Sequence, residues 1–240
     1  MRPEDVARIK TLPLFKDANE DTLRQVASVG FVQVFPSGVM LQEQGTRPDS
    51  LYVVIEGSVE VAGHHRGVDA TVEVIRAPLP VVLSAVIADE ALLASVTTLT
   101  RSTLLMTPAQ IVRNAMTTDV GFAAAVAREL SDQCRRTIRE LHNQKLRTAT
   151  ERLANWVLAA HLEAHESEVI ELPFKKRVLA SLLGSSPESL SRNISALERH
   201  GVAFEGSRIR IADRDALFAL ACPTPLIDAF TPETAGMRPS

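Results

Sequence analysis

The sequence predicts an α+β protein in three parts: an N-terminal antiparallel β-roll, a long helix, and a C-terminal winged helix-turn-helix. Three observations carry this expectation. Short β-branched runs fill residues 31–107, an apolar seam at alternating three- and four-residue steps starts at Val120, and two short helical patterns flank a glycine turn ahead of a hairpin pattern. A chain of 240 residues, 45% of them apolar, is long enough to bury two cores.

Residues 3–29 read as short helices with Leu12, Leu14, Phe15, Leu23 and Val26 turned inward. The runs FVQVF, VMLQEQG, SLYVVIEGSVEVAG, ATVEVI and STLLMT follow, separated by Pro-Ser-Gly, Arg-Pro-Asp and Gly-Val-Asp breaks, the spacing of an antiparallel barrel or roll. From Pro108 to about Ala164 the texture is helical. Val120, Ala123, Ala127, Leu130, Cys134, Thr137 and Leu141 form a narrow seam, with Arg128, Glu129, Arg135, Arg136, Arg139 and Glu140 mostly off it. Such a seam needs a partner, and a second copy of the chain is the simplest one. The expectation is a homodimer with Val120, Ala127, Leu130, Cys134 and Leu141 at its interface; packing against the chain's own roll is the alternative. Cys134 on that seam reads either as a small buried hydrophobe or, through two-fold symmetry, as half of an intersubunit disulfide.

Arg147 to Ala164 reads as a further helix, with Leu153, Trp156, Val157 and Ala160 on one face. Lys175 to Leu183 is a short helix broken by Gly184, and a second begins at Pro187. Ser186 suits the N-cap, Pro187 the first helical position and Glu188 the positive end of the dipole. That helix ends near His200, where Gly201 suits the left-handed cap. Leu190, Ile194 and Leu197 share its inner face. Asn193 stands where an apolar residue is usual in this motif, and VAFEGSRIRIAD reads as two strands turning at Glu205-Gly206, a wing. The expected domains are 1–119 for the roll, 120–145 for the long helix, 146–222 for the winged module, and 223–240 for a Pro- and Thr-rich tail, partly disordered after an early docked part.

Composition narrows the function. Net charge is −3, but between Glu171 and Arg210 seven Lys and Arg stand against four Glu, so positive charge concentrates on the helix-turn-helix. The two cysteines, Cys134 and Cys222, are too few for a disulfide framework or a cysteine-held iron–sulfur cluster. No apolar run approaches membrane-spanning length and Met1 to Lys10 lacks a signal-peptide core, which makes the cytoplasm the expected compartment. His161 and His165, four apart in a helical pattern, invite a metal reading, yet HLEAH misplaces the glutamate of the HExxH pattern. No catalytic set and no metal site is expected.

These residues resemble the CRP/FNR superfamily of bacterial transcription regulators. QGTRPDSLYVVIEGSVEVAG is similar to the family's cyclic-nucleotide-binding-type β-roll, with Gly45, Leu51, Tyr52 and Gly57 at its habitual positions, and the long helix and winged module follow in the family's order. Glu188, Ser191 and Arg192 match the E-x-x-S-R pattern of FNR-like members. By that resemblance they read TTGA(T/C) half-sites in an inverted repeat of double-stranded DNA. The chemistry agrees: Arg192 can grip guanine O6 and N7, Glu188 can accept from a cytosine amino group, and Ser191 can reach a base edge or phosphate. Lys175, Lys176, Ser186, Ser189, Arg199 and Arg208 are the expected phosphate contacts. RNA polymerase is a further implied partner if the protein activates transcription. More loosely, ELPFKKRVLASLLGSSPESLSR and PTPLID resemble a subgroup that includes regulators of ferrous-iron transport.

The resemblance also defines what to expect of the sensor. Family members that bind cyclic nucleotides use a Gly-Glu pair for the ribose and an Arg-Ser or Arg-Thr pair for the phosphate. In PLPVVLSAVIADEALLASVTTLT an ungapped reading puts Leu83 at the acid and Leu93 and Ala94 at the phosphate pair, and apolar side chains leave a phosphodiester unpaired. A shift of a few residues would bring Glu90 or Arg101 nearer. Cyclic AMP is therefore not the expected effector, and Leu83, Leu93 and Ala94 become candidate walls of an effector pocket. Residues 1–30 contain none of the cysteines that hold the iron–sulfur cluster of FNR itself. Other relatives bind haem, so His64, His65, His142, His161, His165 and His200 are candidate ligands. The rival reading is a haem or small-molecule sensor whose winged domain contacts protein.

Overall fold

Strand β3 (Ser50–Glu56) is buried along nearly its whole length, and period-two geometry divides its side chains between two cores. Leu51, Val53 and Ile55 face a cluster built with helices, whereas Tyr52 and Val54 face a second cluster inside the roll. The computed structural model in which this is seen describes residues 1–228. Helices α1 (Pro3–Ile9) and α2 (Glu20–Val29) precede the roll, and Leu12, Leu14, Phe15, Leu23 and Val26 are all buried in the first cluster.

The roll uses β1 (Phe31–Phe35), β2 (Met40–Gln42), β3, β4 (Ser58–His65), β5 (Val68–Arg76), β6 (Pro80–Val81), β7 (Ser95–Thr98) and β8 (Ser102–Pro108). They form two four-stranded antiparallel sheets, ordered β1-β8-β3-β6 and β2-β7-β4-β5. Gly57 turns β3 into β4 at φ +86, where a Cβ would also lie 2.6 Å from the Arg101 carbonyl oxygen. Strands β6 and β7 and the helix between them, α3 (Leu83–Ala88), were not legible as elements in the sequence.

The helical texture after Pro108 breaks first at Asp119, between α4 (Ala109–Thr118) and α5 (Val120–Leu146). Asp119 is only 4% exposed and accepts from the backbone amides of Asn19 (2.8 Å) and Phe122 (3.1 Å). Asn19 in turn caps α2 by accepting from the Thr22 amide at 2.8 Å, so one carboxylate fixes the starts of two helices. Burial pushes the Asp119 carboxyl up, but the Asn19 and Phe122 amides, the Thr22 hydroxyl and the Gly121 amide together hold it below the ordinary value. Asp119→Ala is expected to cost about 3 kcal/mol at neutral pH, from a lost cap and lost charge-assisted bonds. Because the folded value is depressed, this stabilisation is complete above the unfolded carboxylate range and is lost as pH falls through the folded value. Urea unfolding followed by circular dichroism should therefore show a gap between wild type and variant at pH 7 that narrows below about pH 4. A gap that stays constant over that range would show that the charge of Asp119 contributes nothing.

On helix α5, Phe122, Ala125 and Val126 are buried, and Leu130, half-buried, packs against the first cluster. The exposed line runs Val120, Ala124, Ala127, Ser131, Cys134, Ile138, Leu141, sharing every second member with the expected seam and replacing Ala123, Leu130 and Thr137 by their C-terminal neighbours. Val120 is 86% exposed. Contacts divide the chain into two units, Met1–Cys134 and Arg135 onward, so the division falls inside α5.

The second unit contains α6 (Ala149–Glu163), β9 (Val169–Glu171), α7 (Lys176–Leu182), α8 (Pro187–Glu198), β10 (Val202–Glu205), β11 (Arg208–Ile211) and α9 (Arg214–Ala221). Thr148 and Glu151 start α6 with a reciprocal capping box. Leu153, Val157 and Leu158 meet Leu179, Leu190, Ile194 and Leu197 in one core. The wing has a third strand, β9, in the order β10-β11-β9. Helix α6 stops at Glu163 and His165 takes a left-handed φ of +53, so His161, which is buried, and His165, which is exposed, do not share the helical face the sequence suggested. Of the tail expected at 223–240, residues 223–228 dock through Asp228, which pairs with Arg147 and accepts from the Thr224 amide at 2.7 Å; residues 229–240 lie outside the described residues.

Candidate nucleic-acid interface

Helix α8 presents its first two turns outward because its apolar residues recur only at Leu190, Ile194 and Leu197, all buried. Ser186 accepts from the Ser189 amide at 3.2 Å as the N-cap, and Pro187 supplies the first helical residue without a wasted donor. Glu188, Ser191 and Arg192 are all exposed on this tip. The Ser186 hydroxyl, the residue's own backbone amide and the Arg192 guanidinium hold the Glu188 carboxyl below its ordinary value. Glu188 is thus an acceptor at neutral pH, the form that suits a cytosine amino group. Arg192 rests its Nη2 on Ser189 Oγ at 3.1 Å, an exposed neutral bond that a guanine edge can replace.

The turn before α8 is fixed from behind. Gly184 adopts φ +60, and a Cβ there would collide with the Gln144 side-chain amide, which also donates to the Leu182 carbonyl at 3.2 Å. Asn193, the residue out of place in the sequence pattern, accepts from Thr150 Oγ1 at 3.1 Å and so joins α8 to α6 by a polar bond. Neither link was visible in the sequence, since each depends on a partner about 40 residues away.

Cations surround the tip. Lys175, Lys176, Arg199 and Arg208 are exposed, as is Ser186, while Ser189 is half-buried. Lys176 Nζ stands 5.7 Å from the Phe204 ring centroid, which ties the foot of α7 to the wing. Arg208 lies 3.9 Å from Glu171 in a pair exposed on both sides, weak enough to exchange for a phosphate. Arg177, absent from the expected contacts, lines with Lys176 a groove of about 350 Å³ that also touches Pro187, Ser191 and Ser195.

The candidate effector residues do not come together. Leu83 is 1% exposed inside the first core cluster, Ala94 is buried in the cluster within the roll, and Leu93 projects into solvent at 90% exposure. The ungapped register thus places one wall residue inside a packed core and another in solvent. Glu90 and Arg101, the charged groups that a shifted register would recruit, are both exposed. His64 bonds Asp69 at 2.6 Å and His161 Nδ1 bonds the Ser167 carbonyl at 2.9 Å. Among the described residues no group of three His, Cys, Asp or Glu side chains is arranged to hold a metal, and no helix is long and apolar enough to cross a membrane.

Residues 32–119 match the cyclic nucleotide-binding domain family and residues 151–220 match the Crp-like helix-turn-helix domain family. A crystal structure from Eubacterium rectale, described as a transcriptional regulator of the CRP/FNR family, superposes with a TM-score of 0.73 at 16% identity, covering 88% of this chain and 98% of that one. FixK2 from Bradyrhizobium japonicum gives 0.71 at 16% identity, over 82% and 99%. TTHB099, a CRP-family transcriptional regulator from Thermus thermophilus, gives 0.68 at 20% identity, over 82% and 100%. At these identities the likeness is one of fold. No curated protein matches the chain in sequence. A nucleotide-type roll, a long helix and an exposed winged helix-turn-helix define a DNA-binding transcription regulator. The two domain matches, in this order along one chain, place the protein in a single family: it belongs to the CRP/FNR superfamily.

Proposed function

We propose that the protein is a cytoplasmic, homodimeric regulator in which Glu188, Ser191 and Arg192 of each subunit read one TTGA(T/C) half-site of an inverted repeat. The observation that carries this reading is the joint exposure of the three side chains on the capped tip of α8. Residues 1–119 act as the sensor, α5 as the dimer helix and 146–222 as the reader, with RNA polymerase as a further partner where the protein activates. The effector is not cyclic AMP. The supporting argument is chemical: in the ungapped register the ribose and phosphate positions carry Leu83, Leu93 and Ala94, none of which can meet a phosphodiester charge, and the charged groups that a shifted register would recruit, Glu90 and Arg101, are both exposed.

The test is a mobility-shift titration on a duplex with two TTGA(T/C) half-sites one helical turn apart, against a scrambled duplex of equal length. Preference for the first supports the reading; equal affinity at 150 mM salt removes it. Lys176→Ala is expected to weaken both duplexes alike and to lower the slope of log affinity against log salt by about 1 for each subunit. An unchanged slope would take Lys176 off the phosphate path.

A further inference from the structure

The corner where α5 meets α6 holds an open pocket of about 280 Å³ whose walls include Arg136, Arg139, Arg147, Arg152, Trp156 and Asp228. Arg139, Arg147 and Arg152 alone outnumber the two carboxylates of the lining, Glu140 and Asp228, so the lining is positive even with Asp228 in place. Glu140 is already engaged by the amides of Asn143 (3.2 Å) and Gln144 (2.7 Å). Arg152 is 9% exposed and spends its bonds on neutral acceptors, Nε on the Leu183 carbonyl at 2.9 Å and Nη1 on the Arg147 carbonyl at 2.7 Å. No carboxylate among the described residues pairs with it, and none pairs with Arg139. A buried guanidinium without a counter-charge is costly, and an anion relieves that cost.

One anion is already present as part of the chain. Asp228 meets Arg147 in a two-bond fork, at 2.8 and 2.6 Å, with both side chains 7% exposed. We propose that this corner is a small-anion site and that Asp228 is its built-in occupant, competing with carboxylate- or phosphate-bearing ligands for the same arginines. Arg147 supplies the fork, Arg139 and Arg152 supply further charge, and Trp156 supplies a flat apolar wall for the body of the ligand. The volume sits just below that of typical small-molecule sites, roughly 300 to 1,000 Å³, which fits a small organic acid or phosphate and not a haem. The site abuts Leu182 and Leu183 at the turn ahead of α8 and shares no residue with the roll.

Trp156 is the only tryptophan, so its emission reports this pocket directly and without DNA. Inorganic phosphate and citrate are titrated into the full-length wild type, Asp228→Asn and Asp228→Asn/Arg139→Gln, with circular dichroism as a folding control. Asp228→Asn removes the competing negative charge and is expected to bind one of the two anions at least tenfold more tightly than wild type; the added Arg139→Gln should weaken that binding at least fivefold. Tighter citrate assigns the site to carboxylates, tighter phosphate to phosphates. Wild type should still saturate at higher concentration, and Arg139→Gln alone, at a half-buried surface position, should abolish that response, which keeps the test valid if Asp228→Asn misfolds. Absence of any saturable change in wild type and in folded Asp228→Asn, or a response indifferent to Arg139, overturns the proposal. Because DNA takes no part, either result leaves the operator reading to its own test.

Discussion

Arg192→Ala is expected to lower affinity for the inverted repeat by about 2 to 6 kcal/mol per dimer, one to three for each half-site, while weak sequence-blind binding survives at low salt. The argument rests on the fork. A guanidinium presents paired donors to guanine O6 and N7, and no other exposed side chain on the tip of α8 has that geometry. In the free protein Arg192 makes one neutral bond to Ser189, so little is lost when it turns to the base. Arg192→Lys sharpens the test, since it keeps the charge and removes the fork. It should retain the salt dependence of wild type and lose most of the base preference. Shift titrations on operator, half-site-substituted and scrambled duplexes at two salt concentrations separate these effects. If Arg192→Ala still preferred the operator by the wild-type ratio, discrimination would have to reside elsewhere on α8 or in DNA shape.

How much of this was legible depended on how local each signal is. Helix α8 was legible nearly to the residue because its start is written in consecutive positions, Ser186-Pro187-Glu188, and its inner face in a three- and four-residue rhythm. The long strands β3 and β4 were legible because they last seven and eight residues and are rich in β-branched and apolar side chains. The stretch 80–98 was not, because β6 spans two residues, α3 six and β7 four, each too short for a period to register. Val82, the N-cap of α3, even adopts a left-handed φ of +47, a conformation that nothing in a β-branched residue announces. The polar ties were hidden for another reason. Asp119 to Asn19, Thr150 to Asn193 and Arg147 to Asp228 join residues 100, 43 and 81 positions apart, and a single sequence contains no record of such pairings.

The seam of α5 shows how one period admits two phases. Positions 120, 127, 134 and 141 belong to the exposed line in either reading, but the residues between them can be taken one step early or one step late. The early set, Ala123, Leu130 and Thr137, is more apolar at its centre, so sequence alone favours it. The roll claims that flank first: Phe122, Val126 and Leu130 pack into its core, which turns Ala124, Ser131 and Ile138 outward instead.

That choice of phase yields the second large prediction. If the exposed line is the dimer contact, Ile138→Asp sets two carboxylates against each other near the two-fold axis, and each is buried without a partner on association. An unpaired buried charge costs about 3 to 5 kcal/mol, so two of them are enough to turn a micromolar or tighter dimer into a monomer. Gel filtration with light scattering at 10 μM protein should then report about half the wild-type mass, and operator affinity should fall by at least about a hundredfold because each reading head binds alone. Leu130→Asp is the informative contrast. The expected interface placed Leu130 on the seam, whereas its packing predicts that a charge there disrupts the core of the first unit. It should therefore lower the thermal midpoint measured by circular dichroism far more than Ile138→Asp does. The opposite pattern, a stable monomer from Leu130→Asp and an intact dimer from Ile138→Asp, would return the interface to the phase that the sequence favoured. A wild-type chain that is monomeric at 10 μM would remove the dimer altogether.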